Sequence, residues 1–130
     1  MSNRDVQLIC DAYSQWARGE FNETGMFDPD VEFVMDKPEQ RTYRGRERMA
    51  DGWSDFMAAW QGFKVAAEEV RPLGDGRYLV FVHLHARGQS SAVETESRGA
   101  NIVTLRGGKI SRFELFFDVE EALERAGVAG

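Results

Sequence analysis

Residues 104–123 read TLRGGKISRFELFFDVEEAL and predict a β-hairpin followed by a short helix. A Gly-Gly pair makes a tight turn between two strands, which we place at 93–106 and 109–117. Apolar and polar side chains alternate along the second strand, as they do in a strand that buries one face. Asp118 can cap the helix that follows, with a glutamate three residues further on. This stretch therefore predicts a hairpin whose second strand leads directly into a capped helix.

The rest of the chain reads as helices first and strands afterwards. Apolar residues at steps of three and four predict helices at 4–18 and 45–60. A turn is predicted at 28–30 and a polar loop at 37–44. The predicted strands are 31–36, 63–73, 77–87, 93–106 and 109–117. Two long helices before an antiparallel meander indicate an α+β domain.

Size and charge narrow the class of protein. The chain has 130 residues, 42% of them hydrophobic, which predicts one domain over residues 1–130. A net charge of −6 opposes contact with a phosphate backbone, so we expect no nucleic-acid partner. No apolar run has the length of a signal peptide or a membrane span, so we expect no membrane partner and a cytoplasmic location. Cys10, the single cysteine, is predicted to be a buried hydrophobe in the first helix.

Four strings resemble, in order, the SnoaL-like branch of the nuclear transport factor 2-like superfamily, which includes ketosteroid isomerase and limonene epoxide hydrolase. They are WARGEF at 16–21, FDPDVEF at 27–33, YRGRERM at 43–49 and TLRGGKISRFELFFDVEEAL at 104–123. The resemblance implies a cone-shaped, curved antiparallel sheet with helices packed on its concave face and a pocket open at one end. It also implies that the convex face often serves as a dimer interface. A fold of this kind does not specify a reaction.

Alternation along the strands assigns side chains to the two faces of such a sheet. On strand 77–87 the apolar set that includes Val82 should face the pocket, and the mixed set with His83 and His85 should face outward. The predicted ligand-binding residues are Tyr13, Trp16, Phe33, Met35, Trp53, Phe56, Trp60, Val82, Asn101, Phe113 and Leu115. So many aromatic rings around a cavity favour a flat or hydrophobic ligand.

The resemblance to ketosteroid isomerase implies a carboxylate base on the first strand and an oxyanion hole made by a tyrosine and a protonated carboxyl group. By spacing, the base falls on Met35 and the carboxyl group on Asn101, while Tyr13 lies within one residue of the tyrosine position. A thioether cannot take a proton from carbon, which argues against that isomerisation. Asn101 can still donate a hydrogen bond to a ligand carbonyl. The pattern therefore favours ligand binding over proton transfer.

The sequence also leaves a catalytic function possible. Three residues are candidates for a general acid or base: Asp36, His83 and His85. Asp36 is the carboxylate close to the vacated base position, and a strand bulge would turn it inward. A hairpin register shifted by one residue would move both histidines into the pocket, where one could act as a general base. On the outer face they could bind a metal with Glu96 or Glu114, although we favour a protein contact there.

Three functions are consistent with these patterns. The first is a SnoaL-like protein that binds a small hydrophobic or aromatic molecule, needs no metal or other cofactor, and forms a homodimer through its convex face. The residues predicted for that contact are His83, His85, Arg98, Arg112 and Glu114. The second is an isomerase, dehydratase or cyclase related to ketosteroid isomerase and polyketide cyclase. The third is a pure interaction module, which a cavity smaller than about 300 Å³ would favour.

Overall fold

The computed structural model describes residues 3–20, 25–35, 40–58, 60–88 and 94–127. Its helices are α1 (Asn3–Ala17), α2 (Arg46–Met57) and α3 (Val119–Ala126). Its strands are β1 (Phe27–Met35), β2 (Arg41–Arg44), β3 (Trp60–Gly74), β4 (Arg77–Gly88), β5 (Glu94–Arg106) and β6 (Lys109–Phe116). These elements confirm the predicted α+β fold class.

The described strands form one curved sheet in the order β2-β1-β6-β5-β4-β3. The strands from β3 to β6 make the predicted antiparallel meander, and β2 is antiparallel to β1. β1 runs parallel to β6 and pairs Phe33 with Phe113 and Met35 with Leu115. A meander leaves the outer edge of its last strand unpaired, and here β1 covers that edge.

Two stretches predicted as a turn and a loop belong to strands in the structure. The predicted turn at 28–30 belongs to β1, whose register with β6 shifts between Phe27 and Glu32. Such an irregularity is a place where a strand tolerates Pro29, which has no N–H to donate. The predicted loop at 37–44 contains β2, which pairs with β1 but has too few apolar residues to show alternation.

The second helix ends earlier than its apolar stripe predicts. The stripe predicts a helix over 45–60, whereas α2 ends at Met57 and Trp60 begins β3. Gly62 follows with a φ of 61°, a conformation that glycine adopts without steric cost. The last apolar residue of the stripe therefore belongs to the sheet.

The sheet carries a separate apolar cluster on each face. The cavity face, which includes Val82 and Leu84, is covered by α1 and α2. The opposite face, which includes Leu79 and Phe116, is covered in part by α3 through Ala122. The sheet therefore separates two apolar clusters, one packed against α1 and α2 and the other against α3.

The helix α3 has a defined beginning and end. The side chain of Asp118 accepts hydrogen bonds from the backbone N–H groups of Glu120 and Glu121 at 2.9 and 3.5 Å, which confirms the predicted cap. Gly127 ends the helix in the left-handed conformation. No helix within the described ranges is long and apolar enough to cross a membrane.

The prediction for Cys10 is wrong, because its side chain is exposed. The buried side of α1 is formed by Ile9, Tyr13 and Trp16, which repeat at steps of four and three residues. Cys10 follows Ile9 and is turned about 100° away from it around the helix axis.

Candidate functional site

A cavity of about 440 Å³ lies between α1, α2 and the cavity face of the sheet. Most of its wall is apolar or aromatic. The wall consists of Trp16, Gly19, Phe27, Phe33, Met49, Ala50, Trp53, Ser54, Met57, Val65, Asn101, Phe113 and Leu115. A cavity of this volume falls within the range of roughly 300–1,000 Å³ that is typical of ligand pockets.

Aromatic rings in the wall restrain one another. Trp16 and Phe113 meet edge to face with their ring centroids 5.4 Å apart. Phe33 lies between Trp53 and Phe113, with centroid distances of 6.1 and 5.9 Å. Contacts of this geometry are favourable beyond the apolar area they bury. The rings therefore give this wall a defined shape.

Asn101, on β5, places an amide in this apolar wall and is only 1% exposed. Its Nδ2 donates a hydrogen bond to Oη of Tyr13 on α1 over 2.5 Å. Its Oδ1 is buried and has no hydrogen-bond partner in the described part of the chain. Burial raises the pKa of Tyr13 well above its ordinary value, and the hydrogen bond with Asn101 offsets this only in part, so the hydroxyl stays protonated.

The wall carries no charge among the residues that the structure describes, since it contains no carboxylate, amine, guanidinium or imidazole. A charged ligand group would lose its hydration in this cavity without gaining an opposite charge. The described part of the wall therefore suits a neutral ligand group.

Exposed lining residues mark where the described cavity opens to solvent, beside the end of α1 and along α2. Gly19, Ala50 and Ser54 line the cavity and are exposed, whereas Asn101 is buried. Small side chains at these positions leave the entrance open.

The predicted ligand-binding residues fall into three groups. Those that line the cavity are Trp16, Phe33, Trp53, Asn101, Phe113 and Leu115. Those that pack in the surrounding apolar cluster without lining the cavity are Tyr13, Met35, Phe56 and Val82. The side chain of Trp60 lies outside the described residues.

Some wall residues were missed by sequence reasoning. They are Gly19, Phe27, Met49, Ala50, Ser54, Met57 and Val65. In α2 the spacing of four residues from Met49 through Trp53 to Met57 marks one side of the helix and was a usable signal. Ala50 and Ser54 gave none, because small exposed residues look the same at an entrance as on any helix surface.

The two histidine candidates for catalysis lie away from the cavity wall. His83 and His85 lie on the opposite face of the sheet. In the pairing of β4 with β5, His83 lies beside Arg98 and His85 beside Glu96. The apolar neighbours of the histidines in β4 face the cavity side, so the register shift that would reverse them is absent. Asp36 lies outside the described residues. In the described ranges, no three His, Cys, Asp or Glu side chains are grouped so as to hold a metal ion.

The charged residues of the opposite face pair within the chain. Glu32 accepts hydrogen bonds from Arg44 at 2.5 Å and from Arg112 at 2.8 Å. These two bonds lower the pKa of Glu32 below its ordinary value of 4.5. Arg112 also pairs with Glu114 at 3.5 Å, and Arg98 pairs with a glutamate of β3.

Residues 11–113 match the SnoaL-like domain family. The chain belongs to this family. The uncharacterized protein Rv0034 of Mycobacterium tuberculosis is 32% identical to it over 124 residues, which cover 92% of this SnoaL-like chain and 93% of the relative. An uncharacterized protein of Mycobacterium bovis matches with the same identity and coverage.

Solved structures share the fold of this SnoaL-like protein. TerC, co-crystallized with polyporic acid, superposes with a TM-score of 0.76 at 20% identity, covering 96% of this chain and 99% of TerC. A protein of unknown function from Burkholderia pseudomallei, described as nuclear transport factor 2-like, gives a TM-score of 0.78 at 16% identity. The superposition covers 95% of this chain and 97% of the Burkholderia protein. At these identities the likeness shows a nuclear transport factor 2-like fold.

Proposed function

We propose that this SnoaL-like protein binds a flat, neutral and mainly apolar small molecule in the cavity between α1 and α2. The observation that carries the proposal is the wall itself, in which aromatic rings border about 440 Å³ and none of the described lining residues is charged. Apolar walls with few polar groups are typical of small-molecule sites. The volume also lies above the limit of about 300 Å³ below which a pure interaction module would be favoured.

One of the structural neighbours supports a small-molecule site in this fold. TerC was co-crystallized with polyporic acid, and its fold is similar over 96% of this chain. Phenanthrene, a flat hydrocarbon without charge, is the first probe for the cavity of this protein, and polyporic acid, whose hydroxyl groups ionise, is the second.

Thermal unfolding and isothermal titration calorimetry with these two probes test the proposal. A ligand that binds only the folded chain raises the melting temperature in proportion to the logarithm of its concentration once its concentration exceeds its Kd. We expect at least one probe to bind and to stabilise the wild-type protein. No binding and no stabilisation by either probe would contradict the proposal.

A matched pair of variants locates the binding. Ala50→Phe adds a ring at the entrance, whereas Asp55→Phe adds one to an exposed position of α2 that does not line the cavity. We expect Ala50→Phe to weaken binding about tenfold or more because the ring occupies the entrance, and Asp55→Phe to leave it unchanged. Equal effects of both changes would place the ligand elsewhere.

The homodimer and the cytoplasmic location stay predictions. α3 already covers the centre of the opposite face through Ala122 and Leu123. A second copy would therefore meet the part of that face around His83, His85 and Arg98. Light scattering after size-exclusion chromatography measures the mass, and the mass of one chain would contradict the dimer.

A further inference from the structure

We infer that the cavity selects a ligand that carries a hydrogen-bond donor, such as a phenol or an alcohol, over a ligand whose polar group is only an acceptor. The inference rests on the proposed function and adds the chemical class of the ligand's polar group. It depends on which atom of the Asn101 amide is left without a partner.

The amide nitrogen of Asn101 already has a partner. Nδ2 donates to Oη of Tyr13, a residue that is itself 3% exposed and held in the apolar cluster under α1. The amide oxygen, Oδ1, is buried without any hydrogen-bond partner among the described residues. An unpaired buried acceptor destabilises the empty protein, and a ligand that pairs with it removes this cost.

The position of this amide is fixed by the sheet. Asn101 pairs with Val80 of β4 on one side and with Leu115 of β6 on the other, so its backbone lies between two neighbouring strands. Its side chain is anchored in turn by the hydrogen bond to Tyr13. The acceptor is thus held in place before a ligand arrives, which limits the entropy lost on binding.

The donor should be neutral. An ammonium group could also donate to Oδ1, but the described wall offers no carboxylate to balance its charge. A hydroxyl group donates one hydrogen bond and needs no counter-charge. The sequence alone suggests the reverse polarity, with Asn101 as donor to a carbonyl. In the structure one N–H of that nitrogen is engaged by Tyr13, whereas Oδ1 has no partner among the described residues.

Three probes of similar shape separate the effect of the donor from that of the apolar surface. They are phenanthrene, phenanthrol and the methyl ether of phenanthrol, of which phenanthrol alone carries a donor. Isothermal titration calorimetry should show phenanthrol binding about tenfold more tightly than its methyl ether, which is the effect of pairing one buried acceptor. Equal affinities, or a preference for the ether, with binding still present would overturn the inference and leave the proposed function intact. Absence of binding by all three probes would defeat the proposed function and the inference with it.

Variants assign the preference to Asn101. Asn101→Leu should reduce the preference for phenanthrol to about twofold or less while phenanthrene still binds, because the acceptor is gone. His83→Gln, on the opposite face, is the control and should keep the preference. An unchanged preference in Asn101→Leu would contradict the inference.

Tyr13→Phe provides a second test in case the leucine variant does not fold. Removing the hydroxyl leaves the N–H that Tyr13 had engaged without its partner, and that N–H can then donate to the ether oxygen. The gap between phenanthrol and its methyl ether should narrow by about threefold or more relative to wild type. A gap that stays the same or widens would contradict the inference.

Discussion

Tyr13 and Asn101 are two polar residues buried among apolar side chains, joined by one hydrogen bond between α1 and β5. Each is the partner of the other, so removing one leaves a buried polar group unpaired. This hydrogen bond joins the first helix to the centre of the sheet, and the bond from Tyr78 to Asp5 joins the start of the same helix to β4.

A double-mutant cycle measures that coupling. We expect Tyr13→Phe and Asn101→Leu each to lower the free energy of unfolding by about 1–2 kcal/mol, and the double variant to lose about 1 kcal/mol less than their sum. Urea unfolding of the four proteins gives these values. Strictly additive losses would mean that the two side chains do not depend on each other.

The carboxylate of Glu32 contributes to stability in a way that depends on pH. Its pKa is lowered in the folded protein by hydrogen bonds from Arg44 and Arg112, so its contribution is present above its ordinary value of 4.5 and is lost as the pH falls below that value. Glu32→Gln should therefore cost up to about 1 kcal/mol at neutral pH, with the difference from wild type shrinking in acid.

Glu69→Gln is the control for this carboxylate. Glu69 pairs with Arg71 at 3.1 Å but its side chain is 53% exposed, against 27% for Glu32. Because exposed pairs contribute little, we expect a loss close to zero at every pH. A loss in Glu32→Gln that stays constant from neutral to acidic pH would rule out the assigned role of the ion pairs.

At the scale of elements, the turn between β3 and β4 is constrained more tightly than the turn between β5 and β6. Gly76 has a φ of 76°, and a Cβ atom there would lie 2.6 Å from the carbonyl oxygen of Leu105. Gly107 has a φ of 59°, and a Cβ atom there would point into open space among the described residues. Both positions favour glycine by conformation, but the first is also crowded by a neighbouring strand.

Alanine at these two positions should therefore have different costs. We expect Gly107→Ala to lower the free energy of unfolding by about 1–2 kcal/mol, since alanine is strained in the left-handed region. Gly76→Ala should lose roughly a further 1–3 kcal/mol through the clash with Leu105. Thermal or urea unfolding compares the two, and equal losses would mean that the close approach does not matter.

The elements were largely predictable from the sequence, and the limits of the prediction have physical causes. The strands at 77–87 and 109–117 alternate clearly because one face of each is buried, and both were placed within about one residue of β4 and β6. β2 has four residues and no buried side chain, so no alternation marks it. The end of α2 was missed because an apolar stripe does not show where a helix gives way to a strand.

The candidate site was predictable only in part for a similar reason. Periodicity identifies the apolar side of α2, but it does not show which of its residues contact other side chains and which border empty space. Trp53 borders the cavity and Phe56 packs beside it, although both belong to the same apolar stripe of the predicted helix. The unpaired oxygen of Asn101 could not be foreseen either, because it depends on a contact with a residue 88 positions away in the chain.

For the whole molecule, the sheet separates two surfaces with different chemistry. The cavity face contributes aromatic rings and one buried amide to the cavity, while the opposite face combines α3 with ion pairs around Glu32 and Arg112. The histidines lie on the second surface and are remote from the cavity. Ligand binding and any contact with a second copy should therefore be separable by mutation.

Nuclear magnetic resonance during titration with phenanthrol tests the central claim, that a ligand binds inside the cavity at Asn101. We predict that the indole N–H signals of Trp16 and Trp53 and the side-chain amide signals of Asn101 shift together with one Kd. The imidazole signals of His83 and His85, on the opposite face, should stay unchanged. Shifts confined to the two histidines, or a saturable titration that leaves both indoles and the amide unmoved, would contradict the account.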